Sequence, residues 1–254
     1  MNSGAYARIC YVLDIETRPD KFARTLAGKK VLKATSPLHE IINISTLRLE
    51  FDIDDRVIGV RLATWNEARY REPDILANAS EAIREAISSG GEVVTYNGKR
   101  FDLPLMRLRQ MRWWQCSHEA LRRASTRAGP HFDVMEALAG GLSQMPSLAE
   151  ACAMIGFSLK GPARATNDYE VAHEIEKCET DVVGTAILYL YCLADRNGRP
   201  DLLGVNLTAV GSYLRTVAGN RQHLLRFAKS PLLGERACPW GVLDTTSADL
   251  FPRP

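Results

Sequence analysis

An α/β domain is the fold class this sequence predicts, and three observations carry the prediction. Short apolar runs of β type alternate with segments whose apolar residues recur every three or four positions. The apolar share of 46% beside 24% charged residues is that of an ordinary globular chain. The length, 254 residues, suffices for one large core.

Taken in order, residues 9–13 (ICYVL) form an apolar run that ends in Asp14-Ile15-Glu16-Thr17 and then Pro19. This pattern predicts a buried strand whose end presents polar side chains. Residues 18–40 are polar and basic and predict a long loop or insertion. Residues 41–51 and 56–65 are β-rich runs on either side of a turn at 52–55, and a hairpin is their simplest connection. Within 74–88, Ile75, Leu76, Ala79, Ala82, Ile83, Ala86 and Ile87 recur at helical spacing, and two serines and two glycines close the helix. Residues 92–96 predict another strand, followed by the turn Asn97-Gly98-Lys99-Arg100 and a helix starting near Asp102 with Pro104 in its first turn. Asp102 thus falls at a strand-to-helix junction.

Residues 132–138 and 147–155 predict short helices, the second opened by a capping box of Ser147 with Glu150. A loop at 157–162 leads to a long helix over about 169–195, with Asp181 in its middle, and 206–218 predict one more helix. The last thirty residues, containing Pro231, Pro239, Pro252 and Pro254, read as loop. There is no internal repeat, low-complexity block or linker.

The 32 Lys and Arg residues against 30 Asp and Glu leave a net charge of +2, which neither favours nor excludes a polyanionic partner. Six cysteines, at 10, 116, 152, 178, 192 and 238, form no CxxC pair, and several lie in apolar segments. Reduced thiols and a cytoplasmic location are expected. No apolar stretch approaches the roughly 18 residues that cross a bilayer, and no signal-like apolar core follows a basic start. His118, His223 and Cys238 lack metal-ligand spacing, and neither a Walker-type phosphate loop nor a GxSxG elbow occurs.

The acids are more informative. Residues two apart on a strand project to the same face, so Asp14 and Glu16 share one. Hard divalent cations take oxygen ligands and keep several waters, and therefore need a few converging carboxylates rather than a closed cage. Asp102 and Asp181 are placed to join such a group from a helix start and a helix middle.

Three segments together resemble the Exo motifs of DEDD exonucleases: Asp14-Ile15-Glu16, then Tyr96-Asn97-Gly98-Lys99-Arg100-Phe101-Asp102-Leu103-Pro104, then Cys178-Glu179-Thr180-Asp181-Val182-Val183-Gly184-Thr185. The resemblance covers about residues 8–220 and is to the predicted 3′–5′ exonucleases related to the proofreading domain of family B DNA polymerases. It implies an RNase H-like domain over 1–220, with a mixed central sheet flanked by helices, and a C-terminal extension over 221–254. It implies that Asp14, Glu16, Asp102 and Asp181 hold two divalent cations, Mg²⁺ or Mn²⁺, about 3.5–4 Å apart. The implied reaction is metal-dependent hydrolysis from the 3′ end of a nucleic acid, single-stranded DNA first and RNA as the alternative, releasing nucleoside 5′-monophosphates. A catalytically impaired nucleic-acid-binding relative is the rival. Asn97, Phe101, Thr17 and Asp133 are the implied substrate contacts, although a core position explains Phe101 and a helix N-cap explains Asp133 equally well.

One departure stands out. Members of this superfamily carry a Tyr four positions, or a His five positions, before the last aspartate, where it orients or deprotonates the attacking water. Here those slots hold Lys177 and Glu176. Lys177 as a cation near the scissile phosphate, Glu176 as a base, or a site with reduced turnover all follow as readings. His173, two helical turns or roughly 11 Å from Asp181, is too distant for the base and reads as a surface residue. Arg107, Arg109, Arg112, Trp113, Trp114, Arg122, Arg123 and Arg127 interleave rings with cations, a combination suited to single strands or to an ordinary amphipathic helix. Lys160 and Arg164 are further candidate phosphate contacts.

Overall fold

A computed structural model of the chain describes residues 7–28, 36–115, 119–140, 144–159 and 171–234. Five strands, β1 (Arg8–Pro19), β2 (His39–Phe51), β3 (Val57–Asn66), β4 (Val93–Thr95) and β5 (His131–Asp133), form one sheet of order β3-β2-β1-β4-β5. β1, β2 and β3 are an antiparallel meander, and β4 and β5 extend the sheet in parallel from the other edge of β1. This is the RNase H-like arrangement that the three motifs imply. Helices α1 (Lys21–Leu26), α2 (Glu72–Ser88), α3 (Asp102–Arg112) and α4 (Glu119–Ala124) lie between strands. After β5 come α5 (Val134–Ala139), α6 (Leu148–Met154), α7 (Val171–Asn197), α8 (Pro200–Val217) and α9 (Leu225–Ala228). Among the described residues no helix is long and apolar enough to cross a membrane.

The pleat of β1 sorts the molecule into two cores. Ile9, Tyr11, Leu13 and Ile15 face Ile75 and Ile83 of α2, Leu103 of α3 and Leu121 of α4. Cys10 and Val12 face the opposite layer, which holds Val183 and Ile187 of α7, Leu207 of α8 and Phe227 of α9. Each buried Ile or Leu side chain contributes roughly 1.5–3 kcal/mol by leaving water, so the odd and even positions hold the register from both sides. Asp14 and Glu16 continue the even face and are aimed at α7 for that reason. Gly91 lets β4 close on β1, because a Cβ there would sit 1.8 Å from the Ile9 carbonyl oxygen. The capping box forms as expected, with Glu150 N donating to Ser147 Oγ at 3.3 Å and Ser147 N donating to Glu150 Oε2 at 2.7 Å.

Five expectations need correction. The strand expected over 9–13 runs on to Pro19, because pairing with β2 holds the polar DIETRP segment extended. The loop expected over 18–40 contains α1 and a 3₁₀ turn at Ser36–Leu38, residues 29–35 lying outside the described set. The helix expected over 132–138 starts only at Val134, since residues 131–133 pair in parallel with β4 and three residues are too few to show a period. The helix expected from 206 begins at Pro200, a residue suited to the first turn. In the tail expected to be loop, α9 and the 3₁₀ turn Pro231–Leu233 bury Phe227 and Leu233 in the α7 core, while residues 235–254 are outside the described set. The four described cysteines, Cys10, Cys152, Cys178 and Cys192, are free thiols.

Candidate metal centre

Asp14 and Glu16 leave β1 on one face, and Asp181 of α7 meets them there: one carboxylate oxygen from each lies within 4.8 Å of the others. Two local features set this meeting. The β1–β2 register shifts between Glu16, opposite Asn43, and Thr17, opposite Ile41, so an extra residue on β2 re-aims the strand end beside the acids. Cys178, one turn before Asp181, donates its thiol to the Asp14 carbonyl at 3.3 Å and ties α7 to the strand. Asp102, the first residue of α3, is buried but stands outside this group of three.

The charges are mutually unfavourable. Burial pushes the Asp14 carboxyl well above its usual range, and the charges of Asp102, Asp181 and Glu16 push the same way. Burial likewise carries Asp102 up to about 8, with Asp133 and Glu16 adding to it. Glu16 rises to about 7 because burial outweighs its ion pair with Lys177. Burial also raises Asp181, against the opposing charges of Lys177 and Arg226. One Asp14 oxygen, Oδ2, is shielded from solvent and accepts no hydrogen bond. An orphaned carboxylate oxygen among like charges is the donor set a hard divalent cation satisfies, so these residues fit such an ion. Lys177, half-exposed on α7, pairs with Glu16 Oε1 and lies 3.6 Å from Asp181 Oδ2. Its proton is held more firmly than usual, burial being outweighed by Glu16 and Asp181.

The remaining predicted residues divide. Asn97 adopts φ 67°, and its Oδ1 is buried without a partner. Asp133 is the N-cap of α5, and its carboxylate accepts from four backbone N–H groups: Asn97 at 2.9 Å, Lys99 at 3.1 Å, Met135 at 3.1 Å and Glu136 at 3.4 Å. Asp133 therefore holds the turn that carries Asn97 toward α3. Beneath that turn, Thr95 Oγ1 meets His131 Nε2 at 2.7 Å, and burial lowers His131 to about 4, which keeps it neutral. Phe101 is half-buried against the α2 core, Thr17 Oγ1 bonds His39 Nδ1 at 2.9 Å, and Glu176 is half-buried on α7, five residues before Asp181. His173 is exposed, in keeping with a surface role. Lys160, Arg164, Cys116, His118 and Cys238 lie outside the described residues.

Three residues near the centre escaped the sequence reading. Asn43, opposite Glu16, donates Nδ2 to the Glu174 carbonyl at 3.2 Å and buries an unpartnered Oδ1. The charge of Glu174 acts on Glu16, and that of Arg226 on Asp181. Polar Asn43 and Ser45 inside the apolar run of β2 were the available signal. Arg226 lies in a segment read as loop and left none.

Comparison with known proteins adds a family. Residues 33–230 match the model of a family described as predicted 3′–5′ exonucleases related to the exonuclease domain of PolB. No curated protein matches the sequence. Among solved structures, the ExoI/SSB-Ct complex is similar at 14% identity and a TM-score of 0.47, over 82% of this chain and 43% of that one. The family B DNA polymerase from the hyperthermophilic archaeon Pyrobaculum calidifontis is similar at 13% identity and a TM-score of 0.48, over 88% of this chain and 27% of that one. E. coli Exonuclease I in complex with a dT13 oligonucleotide is similar at 14% identity and a TM-score of 0.38, over 86% of this chain and 45% of that one. The chain thus spans less than half the length of each of these proteins.

Proposed function

Because this chain belongs to the family of predicted 3′–5′ exonucleases related to the exonuclease domain of PolB, we propose that it is a metal-dependent 3′–5′ exonuclease acting on single-stranded DNA. The observation that carries the reading is the meeting of Asp14, Glu16 and Asp181 with a shielded, unpartnered oxygen on Asp14. In this reading Asp14, Glu16, Asp102 and Asp181 hold Mg²⁺ or Mn²⁺, two ions in the DEDD manner. When bound, the ions lower the pKa of a water and neutralise charge on the leaving 3′ oxygen. Asn97 orients the terminal nucleotide, with Phe101 packing near it. Asp133 positions Asn97 through the turn. Nucleoside 5′-monophosphates are the product.

Lys177 acts in this scheme as a cation and not as the base, because its proton is tightly held beside Glu16 and Asp181. Glu176 is then the side chain left to orient the water from the alternative slot. Turnover is slower than with the usual Tyr or His, a deficit of about 10²–10⁴-fold for a missing acid–base group.

The reading is tested by incubating the protein with 3′- and 5′-labelled single-stranded DNA and RNA, with Mg²⁺, with Mn²⁺ and with EDTA. Shortening from the 3′ end in either metal, and none in EDTA, is expected. DNA should be the faster substrate. Intact strands in every lane, with binding retained, would leave a nucleic-acid-binding module instead.

A second outcome concerns Lys177 itself. Lys177→Met removes a competitor for Glu16 and Asp181, so Mn²⁺ affinity by calorimetry should rise about tenfold, near 1.4 kcal/mol. Cleavage should fall roughly a hundredfold, as for loss of one electrostatic stabiliser. A faster variant would show that the lysine obstructs the site.

A further inference from the structure

Away from the carboxylates, α1 and the end of α3 share a surface that packing does not explain. α1 buries none of its residues, yet it carries Phe22 and Leu26, 60% and 71% exposed. At the end of α3, Met111 is 67% and Trp114 95% exposed. Folding gains little from large apolar groups left in water, and contiguous exposed patches of this kind mark interaction sites. Trp114 is unfavourable twice over, because it also adopts φ 55°, the left-handed region where a helix exit normally places glycine. Such a residue persists where function requires it.

The patch is basic as well as aromatic. The Arg112 guanidinium lies 4.9 Å from the Phe22 ring centre and 5.7 Å from that of Trp113, joining the two helices into one face. Asp20 Oδ2 binds the buried Arg109 at 2.7 Å and lies 3.7 Å from Arg112, which stays 30% exposed. Glu72 is held by Arg109 and by the Trp113 indole N–H at 2.8 Å, leaving the Trp113 ring itself partly open. Lys21 adds a further charge to the α1 side. Aromatic faces interleaved with cations match single-stranded nucleic acid, whose bases stack on rings while phosphates meet the charges. α3 starts at Asp102 beside the metal centre, so Trp113 lies about 16 Å along its axis, a reach of roughly five stacked nucleotides.

We propose that Phe22, Trp113 and Trp114, with Arg112 between them, form a stacking platform for bases of the single strand about three to five nucleotides from its 3′ end. The proposal rests on the nuclease reading and assigns the strand's path within it. Affinity then grows with length up to the point where the strand reaches the platform.

The test compares full-length wild-type protein with Trp114→Gly and Phe22→Ala, using fluorescence anisotropy of labelled dT oligonucleotides of 3 and 15 nucleotides in EDTA at low salt. Each variant should weaken 15-mer binding about five- to a hundredfold and collapse the ratio of 15-mer to 3-mer affinity. Trp114→Gly should at the same time raise the melting midpoint by roughly 2–4 °C, since glycine accepts the left-handed conformation. Weaker binding in a more stable protein is an outcome that a merely structural tryptophan does not give. Variants that bind the 15-mer like wild type while cleavage persists would overturn the platform, leaving the surface to a protein partner and the nuclease reading intact. A wild-type protein that neither binds nor cleaves either oligonucleotide would overturn both.

Discussion

Asp14→Asn is expected to lower 3′-end cleavage by about 10³–10⁴-fold and, in metal-free protein at pH 8, to raise the melting midpoint. The first effect follows from the role proposed for the carboxylate. A metal ion supplies several kcal/mol of charge stabilisation in the transition state, and each 1.36 kcal/mol is tenfold in rate. The second follows from the electrostatics of the folded chain. Burial, joined by the charges of Asp102, Asp181 and Glu16, raises the Asp14 carboxyl. A carboxyl raised by folding binds its proton better in the folded than in the unfolded state. Its contribution is therefore fully present below the unfolded value, near 3.9, and is lost as pH climbs through the folded value. With Glu16 at about 7 and Asp102 at about 8, the window for the cluster runs from about 4 to 8. Asparagine removes one of the opposed charges and keeps the volume, so the variant gains most at pH 8 and nothing at pH 4. Mg²⁺ should stabilise the wild type and leave the variant much less affected. Thermal melts at the two pH values, with and without the ion, check all of this. A variant that retains full cleavage would remove Asp14 from the site.

What the sequence made legible follows the range of the interactions involved. Asp14 and Glu16 could be assigned to one face because a strand's period of two is local, and the two cores of β1 obey the same parity. Asp102 was legible at a strand-to-helix junction, and Asp181 in the middle of a helix of 27 residues. The empty Tyr and His slots were equally plain. The pairing of Lys177 with Glu16 was not, because its partners are 161 positions apart. β5 escaped because three residues cannot display periodicity and it owes its extension to β4. Asp133 could be read as a cap, but its hold on Asn97 and Lys99 crosses more than thirty positions. The tail failed for a related reason. Arg221 and His223 close on Glu179 of α7 at 3.0 and 2.9 Å, and burial of that acid is outweighed by its bonds to His223, Thr64 and Arg221. A proline-rich composition says nothing about such distant partners.

Arg109→Leu should destabilise the fold by about 3–5 kcal/mol, the usual cost of breaking a buried ion pair from one side. Arg109 is only 4% exposed and reaches three carboxylate oxygens: Glu72 Oε1 from Nε at 2.6 Å, Glu72 Oε2 from Nη2 at 2.5 Å, and Asp20 Oδ2 from Nη1 at 2.7 Å. Each acid has a structural duty of its own. Glu72 accepts the backbone N–H of Ile41 on β2 and the indole N–H of Trp113, both at 2.8 Å. Asp20 caps α1 through Ala23 N at 2.9 Å. One guanidinium thus links the end of α3, the start of α2, the start of β2 and the N-cap of α1. Leucine fills part of the volume but leaves the Glu72 and Asp20 carboxylates without their close cation, Arg112 remaining only at 3.7 Å from Asp20. Burial works against the charged form of Asp20, yet the Ala23 N–H and Arg109 hold it below its usual value. A carboxyl depressed by folding stabilises above its unfolded value, near 3.9, and loses that contribution as pH falls through the folded value. The deficit of Arg109→Leu, measured by urea denaturation, should therefore be full at pH 7 and shrink as pH falls below the unfolded value near 3.9 and on through the lower folded value of Asp20. Adding Asp20→Asn and Glu72→Gln to Arg109→Leu should recover much of the lost stability, because it removes the uncompensated charges. The triple variant should still bind the 15-mer less well than wild type, since α1 and α3 would no longer be held in one orientation. Equal destabilisation in the single and triple variants would show that packing by the arginine's methylenes, and not its charge, holds this corner together.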